Sequence, residues 1–456
     1  MHLSAAEIAR RAAGEVVAGD PAAVASSWGF DSRTLLPGAC FVALQGHRDG
    51  HDFVGDAFRA GASVALVARD VPEPAGGAVV RVADTLLALQ EVARSVRGDR
   101  AELRVFAVAG STGKTSTKDL LAAALSTRAV HANPESYNNE FGLPVTLLNT
   151  PSFAEVVVTE MGERFPGDLA SLCAIARPEV GIVTNVGLAH AEHLGGREGA
   201  TRAFAELVDA LPPGGLIVLN ADDDSADYLA ARARSAVLTV GFDGTASYRI
   251  TDAELARDLR PTFRLAGVDV EFSVPLRGAH QIRNAAMAAV AAHHGAGVGW
   301  DDVGAGLAEA QTGRWRMEVV ERRDDVVVLN DAYNANPDSM DAALRALAHV
   351  PARGRRIAVL GDMRELGWHA PGAHAEIGRL AGALGVDVVV GVGEGGAAIV
   401  EAADAVAERH VVVDAVAARA FVTALVRSGD VVLVKASRAL GLQTVADALL
   451  AEGAVP

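Results

Sequence analysis

The feature that most constrains this chain is an alternation of short β-branched runs with alanine- and leucine-rich helical stretches. From Val105 the runs RVFAVAG, EVVVTEMG, EVGIVTNVG and GGLIVLNAD are each followed by a helix-like segment. After Arg316 the pattern resumes in VVVLND, RRIAVLGDM, VDVVVGVG, HVVVDA and DVVLVKAS. Strands that are apolar on both faces belong in parallel sheets covered by helices on either side, so each series predicts one such sheet. With 456 residues there is room for a third unit. The expected class is α/β with three domains. Residues 1–100 form a small α/β unit, 101–316 a doubly wound parallel-sheet domain, and 317–456 a Rossmann-like C-terminal domain. The charged stretch from Arg97 to Arg104 is expected to link the first two. Residues 245–278 alternate polar and apolar side chains, which predicts an antiparallel patch inside the central domain.

Composition removes several classes of function. A net charge of −16 argues against a broad grip on nucleic acid or anionic lipid, so any phosphate must be held at a local site. Two cysteines, Cys40 and Cys173, make neither a disulfide framework nor a paired metal motif, and they fit a reducing cytosol. Residues 1–14 lack the apolar stretch of a secretory signal, and no later run approaches the roughly 18 residues of a membrane span. A cytoplasmic protein without membrane insertion is expected, working as a monomer.

The sharpest local signal is VFAVAGSTGKTSTKDLLAAAL, where a β-run meets Gly110, Ser111, Thr112, Gly113, Lys114 and Thr115 and then a helix. Such a loop aims backbone N–H groups and a helix N-terminus at phosphates, with Lys114 on the terminal phosphates and Thr115 on Mg²⁺. Val108 stands where the full eight-residue pattern has its first glycine. The bland reading is a glycine-rich turn that only joins strand to helix. Lysine is so scarce here, occurring only at 114, 118 and 435, that two of three falling in this segment favour the phosphate loop. Glu160 and His190 each follow a β-run, where a doubly wound sheet presents its carboxyl ends, and are candidate Mg²⁺ ligands. Taken alone, each is as readily a solvated loop residue. Arg316, at the boundary between two domains, can reach a γ-phosphate, and Asp331 ends a strand where a ribose hydroxyl could be met. In isolation the cluster is as readily a surface arginine followed by an Asn/Pro turn.

These pieces together resemble the Mur ligases over essentially the whole chain. The resemblance runs through Asp31-Ser32-Arg33-Thr34, FVALQG with Gln45, and DGHDF in the first domain. It continues through the phosphate loop, YNNEFGLP with Asn138 and Asn139, EMG, TNVG with His190, and HQIRN with Asn284. In the last domain it takes in NDAYNANPDSM with Asn334 and Asn336, LGDMRELG, and Lys435-Ala-Ser. The GKT loop alone is shared with folylpolyglutamate synthases.

The resemblance implies an ATP- and Mg²⁺-dependent amide ligase of peptidoglycan precursor synthesis. Its partners would be a UDP-linked muramoyl peptide and a D-Ala-D-Ala dipeptide, joined through an acyl phosphate. By carry-over, Lys114 and Arg316 neutralise the transferring phosphoryl group, with His190 beside them in the catalytic set. Thr115, Glu160 and His190 hold metal, and Asn284 and Asp331 take adenine and ribose. Ser32, Arg33, Gln45, Asn138, Asn139, Asn334, Asn336 and Lys435 line the substrate. A diverged ligase acting on another peptide or depsipeptide, or a catalytically weakened nucleotide-binding relative, are the alternatives. Because ligands fall in two domains, closure is expected, with a hinge in Arg316 to Asp324.

One position departs from the pattern. Family members usually carry a carbamylated lysine after the Ala-His pair, and here Phe204 stands in its place in TRAFAELV. The chain is therefore expected to have no carbamyl-lysine. A second metal would be absent, weak, or held by His190 with waters or a nearby carboxylate such as Glu192 or Glu206.

Overall fold

The computed structural model describes residues 2–71, 76–134, 136–311 and 313–453. The expected outer limits, Met1 and Pro456, lie outside them. Three large sheets account for the architecture. The first has five strands in the order Glu15–Ala18, Ala78–Arg81, Val64–Val67, Ala39–Val42 and Ser27–Gly29, parallel except for the first. The central sheet has nine strands. Arg104–Ala109 lies inside it between Val156–Glu160 and Val180–Val183, and Leu216–Asn220 and Ala236–Gly241 continue on the latter side. All these pairings are parallel. Their side chains are almost wholly buried up to Asn220, as two-faced coverage requires.

The antiparallel patch forms where alternation predicted it. Tyr248–Leu255, Pro261–Leu265 and Glu271–Ser273 pair antiparallel at one edge of the central sheet. Leu259, at the turn between the first two, is fully buried in the apolar cluster of the C-terminal lobe with Met317, Leu329 and Met340. The third sheet runs Glu318–Glu321, Val327–Asn330, Val431–Lys435, Arg356–Gly361, Val388–Val392 and Glu408–Val412, parallel apart from its first strand.

Two expectations are corrected. The stretch Arg97–Arg104 is not a solvated linker, because Arg97 and Arg100 are 5% and 6% exposed. Arg97 donates to the carbonyls of Ala176, Arg100 and Arg177 and pairs with Glu179 at 2.6 Å. Arg100 donates to the carbonyls of Thr150, Ser152 and Ala154. Guanidinium donors that satisfy buried backbone acceptors outweigh the pull of solvent on the charge. One apolar core accordingly runs from Leu3 and Trp28 to Val105, Leu143 and Leu207, without a break between the first two lobes. The expected hinge also shortens. Glu318–Glu321 is paired into the C-terminal sheet and Arg322 binds Asp324 and the carbonyl of Leu449, so these residues move with that lobe. What remains is the segment around Trp315 to Met317, whose end residues both adopt positive φ.

Candidate active site

The strand Arg104–Ala109 delivers the chain into Gly110 (φ 137°), and the helix Lys114–Ala124 leaves from Gly113 (φ 77°). Both glycines are required for space as well as conformation. A Cβ on Gly110 would stand 2.0 Å from Thr184 Oγ1, and one on Gly113 would stand 2.7 Å from Asn284 Oδ1. Asn284 thus sits against the phosphate loop. Gly113 has no side chain to cap the helix, which leaves the first amides available to an anion.

The turn after Val180–Val183 clasps this loop. Thr112 N–H donates to Asn185 Oδ1 at 2.9 Å, and Asn185 Nδ2 returns a bond to Thr112 Oγ1 at 2.8 Å. Thr184 Oγ1 donates to the Thr112 carbonyl and Gly187 N–H to Ser111 Oγ. Four bonds to two loop residues, Ser111 and Thr112, fix the cradle before any ligand arrives.

Thr115 Oγ1 donates to Glu160 Oε2 at 2.6 Å, joining the first turn of the helix to the end of the neighbouring strand. Asn138 Nδ2 holds the other Glu160 oxygen at 2.7 Å, and both Thr115 and Glu160 are buried. Lys114 folds back to donate to the Gly110 carbonyl and lies 3.5 Å from Glu163 Oε2. The Glu163 side chain is fully buried and its Oε1 has no hydrogen-bond partner. Burial pushes the Glu163 carboxyl up to about 7, against the pull of Lys114. Among the described residues no three or more histidine, cysteine or carboxylate side chains converge as a ready-made metal centre. The donor set is carboxylates and one hydroxyl, of the hard oxygen type that Mg²⁺ completes with phosphate oxygens and water. An orphaned buried carboxylate oxygen beside them is what a cation would satisfy, so the residues fit the ion.

The C-terminal lobe forms the opposite wall. Tyr333 Oη and Ser136 Oγ are 2.7 Å apart. Arg316 lies 3.9 Å over the Tyr333 ring and reaches the same serine. Asn336 Nδ2 contacts the Ser111 carbonyl at 3.4 Å, while its Oδ1 caps the helix Pro337–His349. Asp331 accepts from Met317 N–H and pairs with Lys435 at 2.6 Å. Lys435 is buried, and its ammonium also donates to the Asn334 carbonyl, so it shapes the NDAYNANP turn from beneath. His280, electrostatically coupled to Asp331 and Lys435, is driven down to about 4 by burial.

His190 sits in the left-handed region (φ 55°), where its Nδ1 is hydrogen-bonded to Glu365 of the C-terminal lobe. Burial and the nearby Lys114 charge lower its pKa, while Glu365 opposes them. Glu365 also binds Arg164 at 2.8 Å. Of the carboxylates considered beside His190, Glu206 is corrected, since it accepts from Gly167 and Ala170 N–H and is committed to the start of the helix Asp168–Ala176. Glu192 is exposed, with its carbons packed against Gly367. Phe204 is fully buried among apolar side chains.

The first-lobe candidates lie on the surface. Arg33 is bound to Asp31 with its side chain 85% exposed, and Gln45 is exposed. Ser32 is half-buried in the same turn as Arg33. Phe30, two residues before, packs on Tyr137 and Phe141, which ties this turn to the Asn138–Asn139 loop. Asn139 Oδ1 is taken by Gly142 N–H. Asn334 is exposed. A groove of about 770 Å³, lined by Arg97, Cys173, Arg177, Glu179, Glu206 and Asp209 among others, contains none of the candidates except Glu206. Sequence reasoning did not single out Glu163, Glu365, Ser136 or Tyr333. Tyr333 and Glu365 nevertheless had a signal, their places inside the NDAYNANPDSM and LGDMRELG strings.

Comparison with known proteins fits this geometry. Three descriptions match in order: "Mur ligase family, catalytic domain" over residues 26–97, "Mur ligase middle domain" over 108–292, and "Mur ligase, glutamate ligase domain" over 315–438. The UDP-N-acetylmuramoyl-tripeptide–D-alanyl-D-alanine ligase of Mycobacterium tuberculosis is 42% identical, with 93% of this chain and 92% of its own length covered. The Bacillus subtilis ligase of the same name is 34% identical, with 92% of each covered. MurF from Acinetobacter baumannii superposes with a TM-score of 0.89 at 28% identity, covering 99% of both chains. The MurF ligase of Thermotoga maritima, solved with ADP, gives 0.78 at 29% identity, covering 93% of this chain and 97% of that one. Family models that match in all three lobes, with relatives 42% and 34% identical over more than nine-tenths of the chain, place it in the Mur ligase family.

Proposed function

We propose that this ligase joins D-alanyl-D-alanine to UDP-N-acetylmuramoyl-tripeptide, consuming ATP, in the cytoplasm and as a monomer. Three functional units, 1–100, 101–316 and 317–456, divide the work into holding the UDP-peptide, binding ATP and closing over the amine. The observation that carries the reading is the phosphate loop with Thr115 bound to Glu160, faced across the lobe boundary by Arg316 and Asn336.

The terminal carboxylate of the tripeptide attacks the γ-phosphorus, ADP leaves, and an acyl phosphate forms. The dipeptide amine then attacks the acyl carbon, loses a proton, and expels inorganic phosphate as the amide forms. In phosphoryl transfer the protein's contribution is positioning and charge. The loop amides and Lys114, released from the Gly110 carbonyl, hold the β- and γ-phosphates. Arg316 adds charge from the lobe boundary, and Asn284 and Asp331 orient the nucleoside. Thr115 and Glu160 would hold Mg²⁺, which would supply positive charge to the phosphate oxygens, with His190 near Lys114. Ser32, Arg33, Gln45, Asn138, Asn139, Asn334, Asn336 and Lys435 remain the substrate-side set, with Lys435, Asn139 and Asn336 acting through the turns they hold. A catalytically weakened relative is not favoured, because Lys114, Thr115, Glu160 and Arg316 keep a working arrangement.

The test is ADP release with UDP-N-acetylmuramoyl-tripeptide, with and without D-Ala-D-Ala. Sustained turnover that requires both substrates supports the reading. Turnover with another peptide or depsipeptide alone would overturn the substrate assignment.

A further inference from the structure

Glu163 is a buried acid that the reaction just described does not use. It lies three residues beyond Glu160, on the loop that leaves the strand Val156–Glu160. Its side chain is 0% exposed, one oxygen has no partner, and the other faces Lys114 at 3.5 Å. Glu160 is close enough to repel it. As a structural ion pair this arrangement is poor: the separation is long, half the carboxylate is unsatisfied, and desolvating a charge costs several kcal/mol unless its partners are good.

Lys114 is the only cation paired with Glu163 among the described contacts. On the proposed function, that lysine moves to the nucleotide phosphates. Glu163 is then left buried without a counter-charge at the moment when polyphosphate, itself in need of cations, enters the site. A second positive charge resolves both. The hydroxyl of Thr115 and the carboxylate of Glu160 already present hard oxygen donors on this side of the loop.

We infer that Glu163 is a carboxylate ligand for a divalent cation, adding to Thr115 and Glu160, and that it is freed for this role when nucleotide draws Lys114 away. This rests on the nucleotide-site reading above. It deepens that reading by naming a donor that sequence analysis overlooked.

The experiment is Mn²⁺ binding followed by electron paramagnetic resonance on the full chain, with a non-hydrolysable ATP analogue, for wild type, Glu163→Gln and Glu163→Asp. Analogue affinity is measured in parallel in EDTA. The inference predicts at least about a tenfold loss of analogue-dependent Mn²⁺ affinity in Glu163→Gln, with partial recovery in Glu163→Asp. In EDTA, Glu163→Gln should bind the analogue at least as well as wild type, because Lys114 is no longer held back. Unchanged Mn²⁺ affinity, or equal weakening with and without metal, would overturn it, the latter marking Glu163 as a structural support of the loop. If Glu163→Gln fails to fold, Glu163→Asp carries the same comparison, and full wild-type Mn²⁺ affinity there counts against a geometric ligand. Wild type taking up no Mn²⁺ with the analogue would instead sink the Thr115–Glu160 assignment itself.

Discussion

At the scale of single residues, Lys114 and His280 show how surroundings fix function. Lys114 is held by the Gly110 carbonyl and by Glu163, a cation stored beside the place where charge must be neutralised. Lys114→Ala should lower kcat by at least about 100-fold, comparable to losing one preorganised donor, while the melting temperature stays near that of wild type. Near-normal turnover in the folded variant would contradict the phosphate-loop role. For His280, burial sets the folded pKa at about 4, below its ordinary value of 6.5. Between those values the unfolded chain binds the proton and the folded chain does not, so the stability contribution is full above pH 6.5 and lost as pH falls toward 4. The slope reaches up to about 1.4 kcal/mol per pH unit. Denaturant titrations from pH 7 to 4 should therefore show a smaller loss for His280→Gln than for wild type, and parallel curves would refute it. Gly110, Gly113, Lys114, Thr115 and Glu160 were legible because strand ends and glycine loops have local signatures. Glu163 was not, since a glutamate after Met-Gly carries no periodic sign of burial.

At the scale of elements, the helix Thr85–Gly98 and the strand Arg104–Ala109 are joined by a buried strap rather than a tether. The charge pattern suggested only a link between domains. The fold buries it because Arg100 supplies donors to the carbonyls of Thr150, Ser152 and Ala154. Arg100→Met keeps much of the volume and removes those donors, so it should destabilise the chain by about 2–4 kcal/mol in urea unfolding. A change under about 0.5 kcal/mol would show that the strap is dispensable. The alternating stretch 248–273 was legible as antiparallel strands from its period of two. Its use was not: Leu259 is polar-flanked in sequence, and only the tertiary structure reveals that it plugs the core of the next lobe.

For the whole molecule, the site exists only where lobes meet. Glu365 grips His190 and Arg164, Tyr333 meets Ser136, and Leu259 is inserted across the boundary. The His190–Glu365 partners are 175 residues apart, a separation at which sequence offers no local cue. Removing the charge and the plug together, in Leu259→Ser/Glu365→Gln, should open the lobes about the Trp315–Met317 segment and raise the radius of gyration in solution scattering. ATP analogue and UDP-tripeptide should partly restore the compact value. Identical scattering from variant and wild type would mean that other contacts govern closure. The central claim, that this closed site makes an acyl phosphate, is tested most directly by oxygen transfer. With ¹⁸O in the terminal carboxylate of UDP-N-acetylmuramoyl-tripeptide, each amide formed should deliver one ¹⁸O to inorganic phosphate. Phosphate released without label while the amide accumulates would contradict the account.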